Sequence, residues 1–344
     1  MILSRSSWNE ADPLSDVLHV LSPRISRLTR LEASDDWSLE FPALDRLKFV
    51  ALLKGASWLI LPGRPPWLMG AGDVCLIGRT PYAVASDPAL PRADGQSLFG
   101  IPGRDTVQLG GSDTISIGGS VSFADGNAEF LLDRLPDVLL IPRSSPGSGA
   151  VSTILTLLRD EMERAHLGRG VVTARLADVL LIEAIRAHAA DGEAVGMGWL
   201  TALSDPRLGR ALRAIHDDVA RPWTVAQLAS VANMSRAAFS AQFTRHVGQP
   251  PLAYVRAWRL TLARAALGQR HTDVASIASK VGYSSQSAFG HAFRRSFGVS
   301  PGGGAKARAG RAPTDEAGMS GAEGAPVVSV RSSVSARATR RRHP

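Results

Sequence analysis

The chain has 344 residues, 44% of them apolar, a formal net charge of +8 and one cysteine. That length supports two domains with a core in each, and a lone cysteine excludes an intramolecular disulfide or a thiolate metal cluster. No run of 18 apolar residues occurs, and the opening MILSRSSWNEADPLSD lacks the apolar stretch of a secretion signal. The expectation is a soluble, cytoplasmic protein with no membrane partner.

Charge is unevenly spread. Residues 1–206 carry 18 Lys and Arg against 25 Asp and Glu, residues 207–301 carry 13 against 3, and residues 302–344 carry 8 against 3. An acidic part joined to a basic one is the footprint of a polyanion binder with a separate domain for another task. A merely solvated basic face does not explain why the excess coincides with the helical motifs described below.

From about Trp37 to Phe123 the chain reads as short strands punctuated by Gly, Pro and Asp: LKFVALLKG, SWLILPG, DVCLIG, PYAVAS, DTVQLGG, DTISIGG and SVSFADG. Turn signals about every ten residues predict an antiparallel sandwich or small barrel. Gly72-Asp73 is placed in a hairpin turn. Gly110-Gly111 and Gly118-Gly119 read as hairpin turns or bulges, because no G-x-x-x-x-G-K-[ST] is present and neither pair opens a predicted helix. Phe41, Phe49, Trp58, Trp67 and Tyr82 either line an apolar ligand pocket or form plain core. Cys75, set opposite Val74 and Leu76 by strand alternation, is either a redox sensor or a small buried hydrophobe.

Helical patterning returns over residues 128–190. AEFLLDRL stops at Pro136, SSPGSG is a loop, and VSTILTLLRDEMERAHLG and TARLADVLLIEAIRAHAAD form two amphipathic helices. Leu155, Leu158 and Met162 mark the face of the first; Leu176, Val179, Leu180 and Ile185 mark the second. The run LADVLLIEAI is apolar beyond one stripe, a width that buries against the sheet or against a second subunit. After a linker at 191–206, Asp205-Pro206 opens the next helix and Pro222-Trp223 precedes another.

Residues 225–251 and 274–301 are imperfect copies of one motif, VAQLASVANMSRAAFSAQFTRHVGQPP and VASIASKVGYSSQSAFGHAFRRSFGVSP. Ala229, Asn233 and Ser235 match Ala278, Gly282 and Ser284 at an offset of 49, whereas Phe239, Phe243, Gly248 and Pro251 match Phe289, Phe293, Gly298 and Pro301 at 50. One residue was therefore gained at the turn. Each copy reads as helix–turn–helix. Leu228 and Ala229, or Ile277 and Ala278, mark the first helix, and Asn233 or Gly282 takes the left-handed turn. Ser235, and Ser284 or Ser285, cap the second helix, while Thr224 with Gln227 fits a capping box. A pair of ordinary αα-hairpins is the plain alternative; two copies, both basic at the helix end, favour DNA binding.

The segment IASKVGYSSQSAFGHAFRRSFGVSP, preceded by YVRAWRLTLARAAL, resembles the AraC/XylS family of bacterial transcription regulators over residues 207–301. The order of strands before it, with PPWLMGAGDVCLI, resembles the cupin-like sensor domain found in one branch of that family. The implied architecture is α+β and multidomain: an antiparallel β cupin-like barrel with helices over 1–190, then an all-α domain with two helix–turn–helix motifs over 207–301. Residues 302–344, rich in Gly, Ala and Arg, are expected to be disordered, with Arg340, Arg341 and Arg342 either touching phosphates or solubilising the chain. Cupins that do metal chemistry supply several His ligands. Only His19, His166 and His188 precede residue 200, none in the strand region, and Tyr82 stands where a ligand is wanted. No cofactor or metal is expected, and the protein is not read as an enzyme.

By the resemblance, Ala237, Ser240 and Ala241 in the first copy and Gln286, Ser287 and His291 in the second fall at base-reading positions. Gln suits adenine, Ser either base type and His guanine, whereas Ala offers only contact with a thymine methyl. The second helix therefore carries more base readout and the first mainly positions. Arg236, Arg245, Arg294, Arg295 and the caps Ser235 and Ser285 are the expected phosphate contacts. Arg256 and Arg259 on the connector are either structural or DNA-facing. The function implied is a sequence-specific regulator of transcription on the nucleoid, a ligand-responsive activator. Its partners are double-stranded DNA, a small-molecule effector, RNA polymerase and a second copy of itself paired through the helices of 151–190. A nonspecific nucleoid-associated binder and a cupin-type enzyme tethered to DNA remain as alternatives.

Overall fold

The structure, a computed structural model, describes residues 12–123, 128–164, 166–190, 198–268 and 273–302. Residues 191–197 of the expected linker and the basic tail beyond residue 302 lie outside the described residues, whereas Trp199–Ser204 of that linker forms a helix with Trp199, Leu200 and Ala202 buried.

Two sheets face each other. One has the order β11-β6-β3-β10-β1-β9, formed by Val138–Ile141, Val74–Ile77, Leu47–Lys54, Thr114–Ser122, Arg24–Ala33 and Thr106–Leu109. The other has the order β5-β4-β7-β2-β8, formed by Trp67–Gly70, Ala56–Ile60, Tyr82–Ala85, Ser38–Phe41 and Ala93–Asp94. All pairings are antiparallel except β1 with β9 and β2 with β8.

The β11, β6 and β3 strands of the larger sheet are buried on both faces, which is why LKFVALLK and VCLI read as continuous apolar runs. In β3, Val50 and Leu52 point into the sandwich with Leu39, Leu59, Met69 and Val84. Leu47, Phe49, Ala51 and Leu53 point the other way, into a core shared with the helices. The same alternation in β6 sends Val74 and Leu76 to the helices and Cys75 and Ile77 to the sandwich. Cys75 is fully buried, and burial pushes its thiol well above the ordinary range, so it serves as a small hydrophobe rather than a reactive thiolate.

Several sequence expectations are corrected. The strand region begins at Arg24, not Trp37. DTISIGG and SVSF form the single strand β10, with Gly118-Gly119 in its middle. A Cβ on Gly119 would lie 2.5 Å from the Phe49 ring and 2.8 Å from the Arg27 carbonyl, so a bare backbone is needed for that ring to lie on the strand. The bulge sits opposite, on β1 between Ile25 and Arg27. Gly110 does make a turn, with φ of 76°. Gly72 (φ 97°) and Asp73 turn the chain from β5 in one sheet to β6 in the other, so the turn is not a hairpin. The five aromatic residues do not line one pocket: Phe41, Trp67 and Tyr82 belong to the sandwich, Phe49 to the helical core, and Trp58 is half-buried.

Helix α1 (Pro13–Leu21), capped by the Asp12 carboxylate on the Leu14 and Ser15 amides, opens the described chain. Short helices α2 (Gly95–Phe99) and α3 (Ala128–Leu132) precede the pair α4 (Gly149–Glu163) and α5 (Arg169–Ala190). The buried stripe of α5 runs through Ala177, Leu180, Leu181, Ala184 and Ile185. Val179 falls one step off that stripe and is 45% exposed, against expectation.

Beyond α6 (Trp199–Ser204) the helical core continues without a break into α7 (Leu208–Asp217) and the later helices. Helix α1 packs on α7 and on α10 (Pro251–Leu267), and α3 packs on α10. The Phe130 ring lies 5.2 Å from Trp258 and 5.9 Å from Tyr254, and the Arg134 guanidinium stacks 3.7 Å above Phe130. A polar chain crosses the same seam. Trp199 Nε1 donates to the Tyr254 hydroxyl at 3.1 Å, which meets His216 Nε2 at 2.8 Å; His216 Nδ1 faces the Asp16 carboxylate at 3.3 Å. A carboxylate only accepts, so in a neutral ring Nδ1 carries the proton and the tyrosine hydroxyl donates to Nε2. Tyr254→Phe removes the central link and takes away the acceptor of the buried Trp199 indole N–H. It should lower unfolding stability by about 1–3 kcal/mol, read by urea titration of the full chain.

Candidate nucleic-acid interface

Two helix–turn–helix units flank α10. The first is α8 (Val225–Val231) with α9 (Arg236–Val247); the second is α11 (Val274–Lys280) with α12 (Gln286–Phe297). Their local signals act as expected. Thr224 and Gln227 form the reciprocal capping box on α8, and Asp273 caps α11 through the Ser276 amide. Asn233 (φ 56°) and Gly282 (φ 85°) take the left-handed turn. Ser235 accepts from the Ala238 amide at 3.3 Å and Ser285 from Ala288 at 3.1 Å. Ser285, not Ser284, is thus the second cap, and the extra residue of the second copy lies between Gly282 and that cap.

Phe239, Phe243, Phe289 and Phe293 are all buried, with ring centroids 5.4 Å and 5.5 Å apart within each pair. These rings fix the helical phase. At about 100° per residue, the side of α9 opposite its two rings carries Ala237, Ser240, Ala241 and Thr244. The corresponding side of α12 carries Ser287, Gly290, His291 and Arg294. Ala237, Ala241, Ser287, His291 and Arg294 are exposed, and Ser240 and Thr244 are half-buried. Gln286 is exposed at the first turn of α12, beside its Ser285 cap, and Arg236 holds the equivalent place on α9. Arg245 and Arg295 are exposed in the last turns and, at about 100° per residue, lie on the same outward side. Thr244 escaped the sequence reading because it lies beyond the family's matched positions; its i+4 spacing from Ser240 is the signal that finds it.

The connector resolves one ambiguity. Arg259 donates to the carbonyls of Val219, Ala220, Arg221 and Gly282 at 2.7–3.3 Å, binding the α7–α8 loop to the turn of the second unit. It is structural. Arg256 is exposed on the same helix. Arg210 similarly reaches the carbonyls of Val231 and Ala232 at 3.3 Å, fixing the end of α8. Among the described residues no group of three or more His, Cys, Asp or Glu side chains stands close enough to hold a metal, and no helix is long and apolar enough to cross a membrane.

The cupin family matches residues 12–190, more than half the chain, and a helix-turn-helix domain family matches residues 228–306. A putative AraC-like transcription regulator of Streptomyces lividans is 36% identical over 295 residues, spanning 85% of this chain and 97% of the relative. The chain belongs to the AraC family of transcription regulators. The HTH-type transcriptional regulator AlkR of Acinetobacter baylyi is 31% identical over 299 residues, 84% of this chain and 97% of its own. The solved ToxT of Vibrio cholerae is 13% identical over 80% of this chain and 92% of that one, with a TM-score of 0.33. Both resemblances read from the sequence, the AraC-type reader pair and the cupin-like domain before it, are thus met in one AraC-family chain.

In this AraC-family domain Arg259 is the strut between the two readers. Arg259→Lys keeps the charge but loses the planar fork that reaches four carbonyls. It should destabilise the full chain by about 2–3 kcal/mol in urea unfolding while leaving its far-ultraviolet circular dichroism unchanged.

Proposed function

We propose that this AraC-family regulator reads double-stranded DNA with α9 and α12 in successive major grooves, held in register by α10. The observation that carries the reading is the pair of outward helix faces, each backed by two buried phenylalanines and flanked by exposed arginines. The faces are unequal. That of α9 offers Ala237, Ser240, Ala241 and Thr244, short side chains that let the backbone approach the groove and contact thymine methyls. That of α12 offers Ser287 and His291, with Gln286 at its entry, and carries most of the base discrimination. Arg236, Arg245, Arg294 and Arg295, with the helix N-termini capped by Ser235 and Ser285, hold phosphates.

The domain over 12–190 is proposed to bind a small effector and to make DNA affinity depend on it, with activation through contact with RNA polymerase and action on the nucleoid. We further infer a homodimer through α4 and α5, where Leu157, Val171, Val172 and Val179 leave apolar surface uncovered in one copy. A dimer would place four reading helices on one operator.

Selection of bound duplexes from a random library should enrich a site with two sequence blocks about one helical turn, roughly 34 Å, apart. Binding without enrichment would replace the proposal with a nonspecific binder. On the enriched site, His291→Ala should cost about 1–3 kcal/mol and relax preference at one base position. Arg295→Ala should weaken enriched and random duplexes alike and reduce the salt slope by about one unit. Equal losses of the His291 variant on both duplexes would remove it from the readers.

A further inference from the structure

Five basic side chains follow one another from the last turn of α12 into the residues beyond it, and the proposed reading uses only the first two. Arg294 and Arg295 lie on the outward side of α12, and Lys306, Arg308 and Arg311 follow in the segment GGAKARAGR at 303–311. Charge further along sets that segment apart. Residues 312–330 carry Asp315, Glu316 and Glu323 with no Lys or Arg, and the five remaining arginines lie within 331–342. Lys306, Arg308 and Arg311 are interleaved only with Gly and Ala. The helix-turn-helix family match stops at residue 306, so Arg308 and Arg311 lie beyond the matched domain. The point from which the segment starts is fixed. Helix α12 ends at Phe297, Gly298 turns the chain with φ of 72°, and Pro301 is buried. The 12 residues of α12 span about 18 Å, against about 12 Å for the width of a major groove. With α12 seated, its last turn therefore stands at a phosphate wall, and across that wall lies the minor groove. Lys306 and Arg311 follow Pro301 at reaches of at most about 18 Å and 36 Å, enough to cross it.

We propose that residues 303–311 are an arm that lies in the minor groove beside the major groove read by α12, and that the arm takes A·T base pairs there. The minor groove is about 6 Å wide, so a strand entering it must be slim between its cations. Gly and Ala meet that demand, whereas branched or aromatic residues do not. Narrow A·T-rich stretches concentrate negative potential, which draws Arg and Lys into them. The 2-amino group of guanine stands on the groove floor and works against G·C pairs. The segment has no Phe, Leu, Ile, Met or Pro to wedge between bases, so the arm reads the groove without kinking the duplex. The acidic domain over 1–206 is the rival surface for the same cations. Its Glu32, Asp45, Asp105, Asp133 and Asp178 already meet arginines of that domain, which leaves DNA the better partner. This inference rests on α12 lying in a major groove.

The test compares the full chain with a full-length variant carrying Lys306→Ala, Arg308→Ala and Arg311→Ala. The probe is the enriched duplex with the base pairs flanking the α12 block set to A·T, G·C or inosine·C. Inosine lacks the 2-amino group, so inosine·C keeps the A·T pattern in the minor groove and the G·C pattern in the major groove. The unsubstituted chain should bind the A·T and inosine·C duplexes alike and about 3–10-fold more tightly than the G·C duplex, with hydroxyl-radical protection over the flank. The triple variant should lose both the preference and the added protection, and its salt slope should fall by about two to three units. Equal affinity of the unsubstituted chain for all three flanks, or a preference that survives the triple substitution, overturns the arm while discrimination at the central blocks keeps α12 as a reader. Tighter binding of all three duplexes by the variant assigns the cations to the acidic domain and overturns the arm as well. If neither protein separates the enriched blocks from scrambled ones, the reading by α12 falls and takes the arm with it.

Discussion

The β11, β6 and β3 strands of the larger sheet have no solvent side, and that constraint organises the molecule. One face is closed by the five-stranded sheet. The other is closed by α1, α3, α4 and α5, whose far sides belong to the same core as α6, α7 and the reader domain. Burial of apolar area contributes about 25 cal/mol per Å², so a continuous core of this kind couples the positions of everything that lines it. β3 carries Phe49 into the same core as Phe130, whose ring packs on Tyr254 and Trp258.

The seam between the two parts is held by mixed forces of different quality. Ring packing of Phe130 on Trp258 and Tyr254 is favourable and nearly insensitive to salt. The run from Trp199 through Tyr254 and His216 to Asp16 satisfies each of its buried atoms, which makes it specific for one docking geometry. Arg134 works the other way. It is buried, its charge disfavoured by desolvation; one Nη donates to the Phe130 carbonyl, its Nε finds no acceptor, and its guanidinium rests on aromatic faces. A buried cation without a carboxylate is costly, and the stacking offsets only part of that cost. The seam thus combines a geometry-specific hydrogen-bond run with a costly buried cation.

The reader domain was legible in the sequence because its signals are local. Caps sit three residues from the amides they bind, and the phenylalanine pairs are four apart. β3, β4, β6, β7 and β9 were legible from their apolar runs. β1 was not: RISRLTRLEA carries three arginines, and their partners come from tertiary neighbours, as Arg27 shows by pairing with Asp105 at 2.8 Å. β11, only four residues long, lay hidden behind Pro136. The resemblance to a family supplied the reading positions, and phase against the buried rings extended them to Thr244. Nothing local announces the burial of Lys48, because alternation within LKFVALLK offers no way to choose which face is solvent when neither is. The seam was equally silent, since His216 meets Asp16 across 200 residues.

The same contacts give a physical reason for the proposed inequality of the two readers. Tyr254 touches Phe243 of α9 at 5.8 Å and Phe130 of the β domain at 5.9 Å, so a single ring joins the first unit to the sensor side. The second unit is tied instead to the far end of α10, where Arg264 lies 4.5 Å over the Phe297 ring, and to the Arg259 strut. A unit clamped to the sensor moves with it and gains little from long, discriminating side chains whose aim would change with each state. Alanines and short hydroxyls tolerate such displacement. The second unit is fixed to α10 and, through the Arg259 strut, to the α7–α8 loop, which on the proposed reading would keep His291 aimed at a base edge. On the proposed reading, discriminating residues on α12 would separate the reading of sequence from the reporting of sensor state, with α10 as the element both share.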